Sequence, residues 1–195
     1  MPRPRLSSAA GGVFGITGTP GTGKKSVAPL VAKKLGLPVH GLNDLARSYD
    51  LAAGSGDDLS VDTEALRARV SGGIELPAVI YGHLLPHAVD ARSVVSVVVL
   101  RCEPGVLKQR LTRRGYPAPK LSDNLEAELI GLVSSEAFAA FGAKKTSEVD
   151  TTHAAPSEAA EAVVEAFGGT PRGTRVDWTL NYDSGPKLRA LLSPS

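Results

Sequence analysis

Val13-Phe14-Gly15-Ile16-Thr17-Gly18-Thr19-Pro20-Gly21-Thr22-Gly23-Lys24 is the stretch on which the reading of this chain turns. An apolar run passes through a glycine-rich turn into a helical pattern, Ser26-Val27-Ala28-Pro29-Leu30-Val31-Ala32-Lys33-Lys34-Leu35. A turn of this kind between a buried strand and a helix aims several backbone N–H groups at one point, where the helix dipole also favours negative charge. That point is a phosphate site. Gly18 and Gly21 free the backbone for a tight anion-wrapping turn, and Gly23 lets the chain approach a phosphate without a Cβ in between. Lys24 supplies a mobile ammonium for the β- and γ-phosphates. A glycine-rich linker with a chance lysine would not account for the apolar strand before it.

Pro20, Thr22, Lys25 and Ser26 complete the candidate phosphate-binding set, with ATP as the implied ligand. One position departs from the common pattern. Lys25 follows Lys24 where most such loops carry a Ser or Thr whose hydroxyl touches Mg²⁺. A protonated lysine cannot ligate a metal, so the next hydroxyl, Ser26, is the candidate metal contact.

With 195 residues and 42% hydrophobic content, the chain can bury one sizeable core. No apolar run approaches the length of a membrane span, and Met1-Pro2-Arg3-Pro4-Arg5 lacks an apolar signal core, so a cytosolic protein is expected. A single cysteine, Cys102, beside Val97-Val98-Val99-Leu100, reads as a packed thiol and not a nucleophile. A net charge of only +2 makes no demand for nucleic acid.

Taken in order, residues 1–10 read as disordered. A strand over 13–17 leads through the loop to a helix over about 23–35, with Pro29 near enough to its start to be tolerated. A short strand at 39–42 follows, then a helix from Asn43 to about Ala53, a loop Gly54-Ser55-Gly56-Asp57-Asp58, and a helix opening at Val61-Asp62-Thr63-Glu64. Residues 43–71 thus form a helical insert of the kind that covers a second substrate. Further strands are expected at 78–83, 94–101 and 147–150, and helices at 103–113, 121–141 and 156–167. Strands alternating with helices predict an α/β fold, a five-stranded parallel sheet covered on both faces. The tail, 169–195, reads as partly ordered and docked through Val176 to Leu180.

The residues resemble the small adenylate kinase-like family of archaea and eukaryotes that also takes part in small ribosomal subunit maturation. The resemblance runs from about Gly15 to Trp178. It is carried by Gly18 to Lys24, Leu45-Ala46-Arg47, Val61 to Leu66, Gly82-His83-Leu84 and Val99-Leu100-Arg101. Arg110-Leu111-Thr112-Arg113-Arg114-Gly115-Tyr116 is the most distinctive part, with Lys120, Asn124, Glu126-Ala127-Glu128 and Glu136-Ala137 behind it; Val149 to Thr152 and Val176-Asp177-Trp178 complete the set. Gly-Lys-Lys-Ser at 23–26 is similar to the Gly-Lys-Gly-Thr of adenylate kinases.

The resemblance implies a P-loop NTPase of the nucleoside monophosphate kinase type, transferring the γ-phosphoryl group of ATP to AMP with Mg²⁺. It implies a kinase domain over 11–168, in which the insert at 43–71 binds the monophosphate and 114–120 forms a short lid. Lys24 holds the donor. Arg110 and Arg114, one helical turn apart, project to one side, where one stacks on adenine and the other clamps migrating charge. Arg47 matches the arginine that reaches the AMP phosphate, His83 orients the attacking group or a water, and Asp150 to His153 approach the adenine. A small-subunit ribosomal protein and pre-ribosomal RNA are the implied macromolecular partners.

Tyr81 stands where the family has an acidic anchor for the Mg²⁺ water shell, two residues before the histidine. Three readings stay open: the triphosphate and waters hold the ion; Asp57, Asp58 or Glu103 substitutes; or the chain binds nucleotide without efficient transfer. Three functions stay open with them: a nucleotide kinase with a possible ATPase side activity, an ATP-gated assembly factor, and a kinase for another small acceptor such as a shikimate-like acid.

Overall fold

The computed structural model describes residues 11–54, 60–169 and 175–193. The expected disorder of residues 1–10, and the candidate anchors Asp57 and Asp58, lie outside the described residues. In chain order the elements are β1 (Val13–Thr17), α1 (Lys24–Leu35), β2 (Val39–Gly41), α2 (Leu42–Ser48), β3 (Ala52–Ala53), β4 (Ser60–Val61), α3 (Thr63–Gly73), β5 (Ala78–Tyr81) and α4 (Leu85–Ala88). They continue through β6 (Val94–Arg101), α5 (Pro104–Arg113), α6 (Ala118–Leu129), α7 (Leu132–Phe141), β7 (Thr146–Asp150) and α8 (Pro156–Gly168) to a 3₁₀ turn at Thr179–Tyr182 and α9 (Gly185–Leu192).

Five of the strands form one parallel sheet in the order β2-β5-β1-β6-β7. The period-2 alternation of each strand divides its side chains between two cores. Val13, Ile80, Val97 and Val99 face α2, α3, α4 and α7, while Phe14, Ile16, Val79, Val98 and Leu100 face α1 and α8. Both faces being covered explains why β6 reads as an almost unbroken valine run. Phe14 meets Phe167 of α8 edge to face, with ring centroids 5.2 Å apart.

α1 starts because Gly23 takes a left-handed conformation and stops because Gly36 takes another, its N–H closing on the Ala32 carbonyl. Pro29 lies inside the helix and is exposed. A third apolar cluster sits at one end of the sheet, where Cys102, Leu107, Leu111, Leu121, Leu125, Leu129 and Leu191 pack with Trp178 and Tyr182. Cys102 is fully buried, and burial pushes its thiol up to about 12, which agrees with a packed and inert residue.

Three expectations are corrected. The single helix expected over 121–141 is two, broken at Gly131, whose φ is +66°. The helix expected from Asn43 to Ala53 ends at Ser48, and a short antiparallel ribbon of β3 and β4 follows, because Asp50 turns into the left-handed region. The tail docks through Val176, Trp178 and Tyr182, whereas Leu180 points outward at 73% exposure; α9 then packs Leu191 into the third cluster. Among the described residues, no helix is long and apolar enough to cross a membrane.

Candidate active site

The C-terminal edge of the sheet carries the site, as expected for a parallel α/β sheet. β1 ends at Thr17, and the loop that follows holds Gly18, Gly21 and Gly23 at φ +140°, +94° and +106°. The glycines are required for different reasons. A Cβ on Gly18 would come within 2.4 Å of the Leu100 carbonyl oxygen, and one on Gly21 within 2.5 Å of Leu107. Around Gly23 the nearest atom to a built Cβ is Val27 Cγ2 at 3.9 Å. The first two pack the loop against the protein, while at the third a Cβ would meet only an ordinary contact and it is the backbone conformation, φ +106°, that calls for glycine. Inside the turn, the Thr22 N–H and hydroxyl both donate to the Thr19 carbonyl.

Lys24 folds back over this loop. Its ammonium donates to the carbonyls of Gly18 and, at 2.9 Å, Thr19. Burial lowers its pKa to about 7, with Arg114 and Lys25 pushing the same way and Glu128 opposing them. Lys25 and Ser26 lie exposed in the first turn of α1. Pro20 lies in the loop between the packed glycines.

Arg110 lies in α5 and Arg114 directly follows its last residue, Arg113. Arg110 donates to the carbonyls of Thr151 and Thr152 at 2.8 and 3.0 Å, so its guanidinium is fixed just past the end of β7, the segment that the family resemblance implies for the adenine. Arg114 is exposed, and its charge is felt at Lys24. Arg110 is thus anchored just past the end of β7, while Arg114 is exposed and near enough to Lys24 for its charge to lower that residue's pKa. His83 follows β5; burial, then the charges of Lys24 and His87, hold its pKa at about 4, so it is a neutral imidazole at physiological pH. Arg47 of α2 pairs with Asp44 at 3.7 Å and is about half exposed; among the described residues no hydrogen bond or ion pair joins it to the loop.

Tyr81 closes β5 beside Gly41 and Asp44. A Cβ on Gly41 would lie 2.6 Å from Asp44 Oδ2 and 2.9 Å from the Tyr81 hydroxyl. Burial and the Asp44 charge push the phenol pKa up, so it stays uncharged. Glu103 is already committed: it caps α5 by accepting from the Val106 N–H at 2.8 Å, and it accepts the Tyr182 hydroxyl. This argues against Glu103 as the substitute anchor. Among the described residues, no group of three or more His, Cys, Asp and Glu side chains could hold a metal. The donors suit an ion carried in by a triphosphate, with the exposed Ser26 hydroxyl at the start of α1 as the residue that would meet it, better than a cage built by protein alone. The loop itself suits a phosphate chain, since its three positive-φ glycines wrap the backbone at the N-terminus of α1 with Lys24 beside it.

The sequence reading assigned no role in the site to Glu128, which lies directly behind the loop. Its carboxylate accepts from the Thr19 hydroxyl at 2.6 Å, from Arg101 Nε and the Cys102 N–H at 2.9 Å each, and from Trp178 Nε1 at 3.3 Å. The available signal was a charge on the apolar face of α6, in step with Leu121, Leu125 and Leu129.

The same arrangement has relatives. A protein of Natronomonas pharaonis named "putative adenylate kinase" is 43% identical over 169 residues, covering 84% of this chain and 96% of its own length. A Thermococcus gammatolerans protein of the same name is 35% identical over 173 residues, covering 88% of this chain and 95% of its own. The chain belongs to the adenylate kinase-like family. Its residues 15–131, from β1 to just past α6, match the AAA domain family, so the loop, the arginines of α5 and Glu128 all lie within the matched span. Among solved structures, a gluconokinase from Sinorhizobium meliloti superposes with a TM-score of 0.53 at 20% identity, covering 90% of this chain and 98% of that one. A sugar kinase from Janibacter superposes with a TM-score of 0.51 at 17% identity, covering 85% and 99%. These likenesses concern the fold, a P-loop kinase type.

Proposed function

We propose that this chain is an adenylate kinase, moving the γ-phosphoryl group of ATP to AMP to give two ADP. The observation that carries the reading is the joint placement of Lys24 on the phosphate loop and of Arg114 within electrostatic reach of it. Phosphoryl transfer asks little covalent chemistry of the protein, so positioning and charge neutralisation carry the rate. An oxygen of the AMP phosphate attacks the γ-phosphorus, the bond to the β–γ bridging oxygen breaks, and ADP leaves. Lys24 moves from the loop carbonyls to the phosphates as ATP enters. Arg114 follows the migrating charge, and Arg110, pinned by Thr151 and Thr152, offers a flat face to the adenine. Neutral His83 orients the acceptor without competing for charge. Arg47 on α2 meets the AMP phosphate after exchanging its Asp44 partner, with the insert at 43–71 covering the acceptor and 114–120 acting as the lid. Mg²⁺, if carried in with ATP, would be met by the Ser26 hydroxyl and would supply neutralisation of the developing phosphate charge.

The test is ADP formation from ATP and Mg²⁺, with and without AMP. Strong stimulation by AMP is expected, and Lys24→Ala, folded by circular dichroism, should lose at least about 100-fold. If AMP leaves ATP loss unchanged, the kinase reading fails.

One observation favours a second reading, an ATP-gated assembly factor for the small ribosomal subunit with ATPase activity. Tyr81 is a neutral phenol in the place of an anchoring carboxylate. Slow, AMP-independent ATP loss, with ATP-dependent recovery of a small-subunit ribosomal protein on the purified chain, would support it. Recovery of no such protein would count against it.

A further inference from the structure

A carboxylate buried as deeply as Glu128, at 1% exposure, costs several kcal/mol of desolvation unless its lone pairs are matched. Arg101 and the Cys102 N–H already supply a charged and a neutral donor from β6 and the residue after it. The two remaining donors come from far along the chain in opposite directions: the Thr19 hydroxyl in the phosphate loop and the Trp178 indole in the C-terminal segment. Thr19 is also where the loop's internal hydrogen bonds converge. Its carbonyl accepts from Lys24 Nζ and from the Thr22 N–H and hydroxyl, so any rotation of Thr19 disturbs the catalytic lysine and the turn together.

The C-terminal segment is built onto the same network at several points. The Val176 carbonyl accepts from Arg101 at 3.0 Å, and the Val176 N–H donates to Glu148, which also receives Arg101 at 2.8 Å and the Ser134 hydroxyl. Tyr182 holds Glu103, and Lys108 of α5 donates to the carbonyls of Ala190 and Ser193 at the end of α9. The segment thus lies across α5 and α6, with Trp178 aimed at Glu128.

We propose that Glu128 is a positioning residue that fixes the phosphate loop through the Thr19 hydroxyl, and that the segment Val176–Leu192 is an intrachain clamp that holds Glu128 in place through Trp178. The inference rests on the kinase reading only in taking ATP as the loop's ligand, so it is tested by ATP binding and not by transfer to AMP.

The experiment uses the full chain and titration calorimetry with ATP in the absence of AMP, with thermal melting of the same preparations. Thr19→Val keeps the shape and removes the hydroxyl, Thr19→Ser restores it, and Trp178→Phe removes the indole N–H alone. Thr19→Val is expected to weaken ATP binding about 10-fold, the loss of one hydrogen bond to a charged group, and Thr19→Ser to return it to within about 3-fold. Trp178→Phe should weaken binding about 3-fold although it lies outside the loop. The double variant Thr19→Val with Trp178→Phe should be no weaker than Thr19→Val alone, since both act through one carboxylate.

A purely structural role predicts something else: lower melting temperatures with ATP affinity unchanged in the folded range. That result, or full additivity of the two substitutions, overturns the proposal. Should Thr19→Val fail to fold, Trp178→Phe decides on the same readout. An unaltered chain that binds ATP but ignores AMP would end the kinase reading and leave this one standing. An unaltered chain that binds no ATP would end both.

Discussion

In the ligand-free chain the Lys24 ammonium is turned onto its own loop, donating to carbonyls that offer partial charge only, and burial brings its pKa down to about 7. The triphosphate reverses that balance by placing full negative charges beside the amine, which favours the protonated form. Between the free and bound pKa values, binding must therefore take up a proton. At pH 8, calorimetry in buffers of different ionisation enthalpy should record uptake of most of one proton per ATP. Affinity should fall by up to about 10-fold per pH unit above 7, until the bound-state pKa is reached. Lys24→Met should bind weakly and lose this dependence; an unchanged proton count in that variant would assign the uptake to another group. The same shift acts on the fold with a definite sign. The folded pKa lies below the ordinary value of 10.5, so the folded chain binds fewer protons than the unfolded one between about 7 and 10.5, and ligand-free stability rises with pH across that window. His83, lowered from 6.5 to about 4, acts with the same sign in a lower window: stability rises with pH between about 4 and 6.5 and levels off above it. Lys24 and its glycines were legible in the sequence because their roles depend on spacing within one turn. Glu128 was not, because its meaning depends on Thr19 and Trp178, which only the folded chain brings to it.

Among the elements, those set by local chemistry were read correctly and those set by tertiary partners were not. The five strands of the parallel sheet, α1 and α8 follow from apolar runs, glycine stops and helical spacing. The pair α6 and α7 reads as one helix because Leu121, Leu125, Leu129, Leu132 and Val133 keep helical spacing through the break. In the structure Ile130 and Leu132 are exposed at 63% and 44%, and Gly131 turns the chain under the Arg101 guanidinium. The helix ends there because the Gly131 N–H closes on the Glu128 carbonyl, which also accepts from Arg101. α9 was missed for the opposite reason: it is short, and its Gly185-Pro186 start looks like a turn until Leu191 has a core to enter. Gly131→Ala tests the break. It forces a Cβ into a left-handed conformation and sets it 3.4 Å from the guanidinium nitrogens, so a loss of about 1–2 kcal/mol in urea unfolding is expected. A loss within about 0.3 kcal/mol would mean that the two helices join at little cost.

Across the whole molecule, Arg101 is where sheet, helices and tail meet. Its guanidinium, 2% exposed at residue level, spans Glu128 of α6, Glu148 of β7 and the Val176 carbonyl from the end of β6. Removing one member of a buried ion group strands the others, at a typical cost of about 3–5 kcal/mol. Lysine would keep the charge but has one nitrogen, and it cannot reach two carboxylates and two carbonyls from one position. The chain carries its own reporter for this junction, since Trp178 is its only tryptophan and sits on Glu128. If the tail belongs to the same cooperative unit as the sheet, urea unfolding followed by Trp178 fluorescence and by far-UV circular dichroism should give one midpoint. Arg101→Lys should pull the two signals apart, the tryptophan signal moving to lower urea because the tail loses Val176 and the support of Glu128 while the valine-rich sheet keeps its packing. Coincident transitions in the variant, at a lowered midpoint, would instead mean that tail and sheet are joined by the apolar cluster around Leu191 and that Arg101 contributes stability without being the joint.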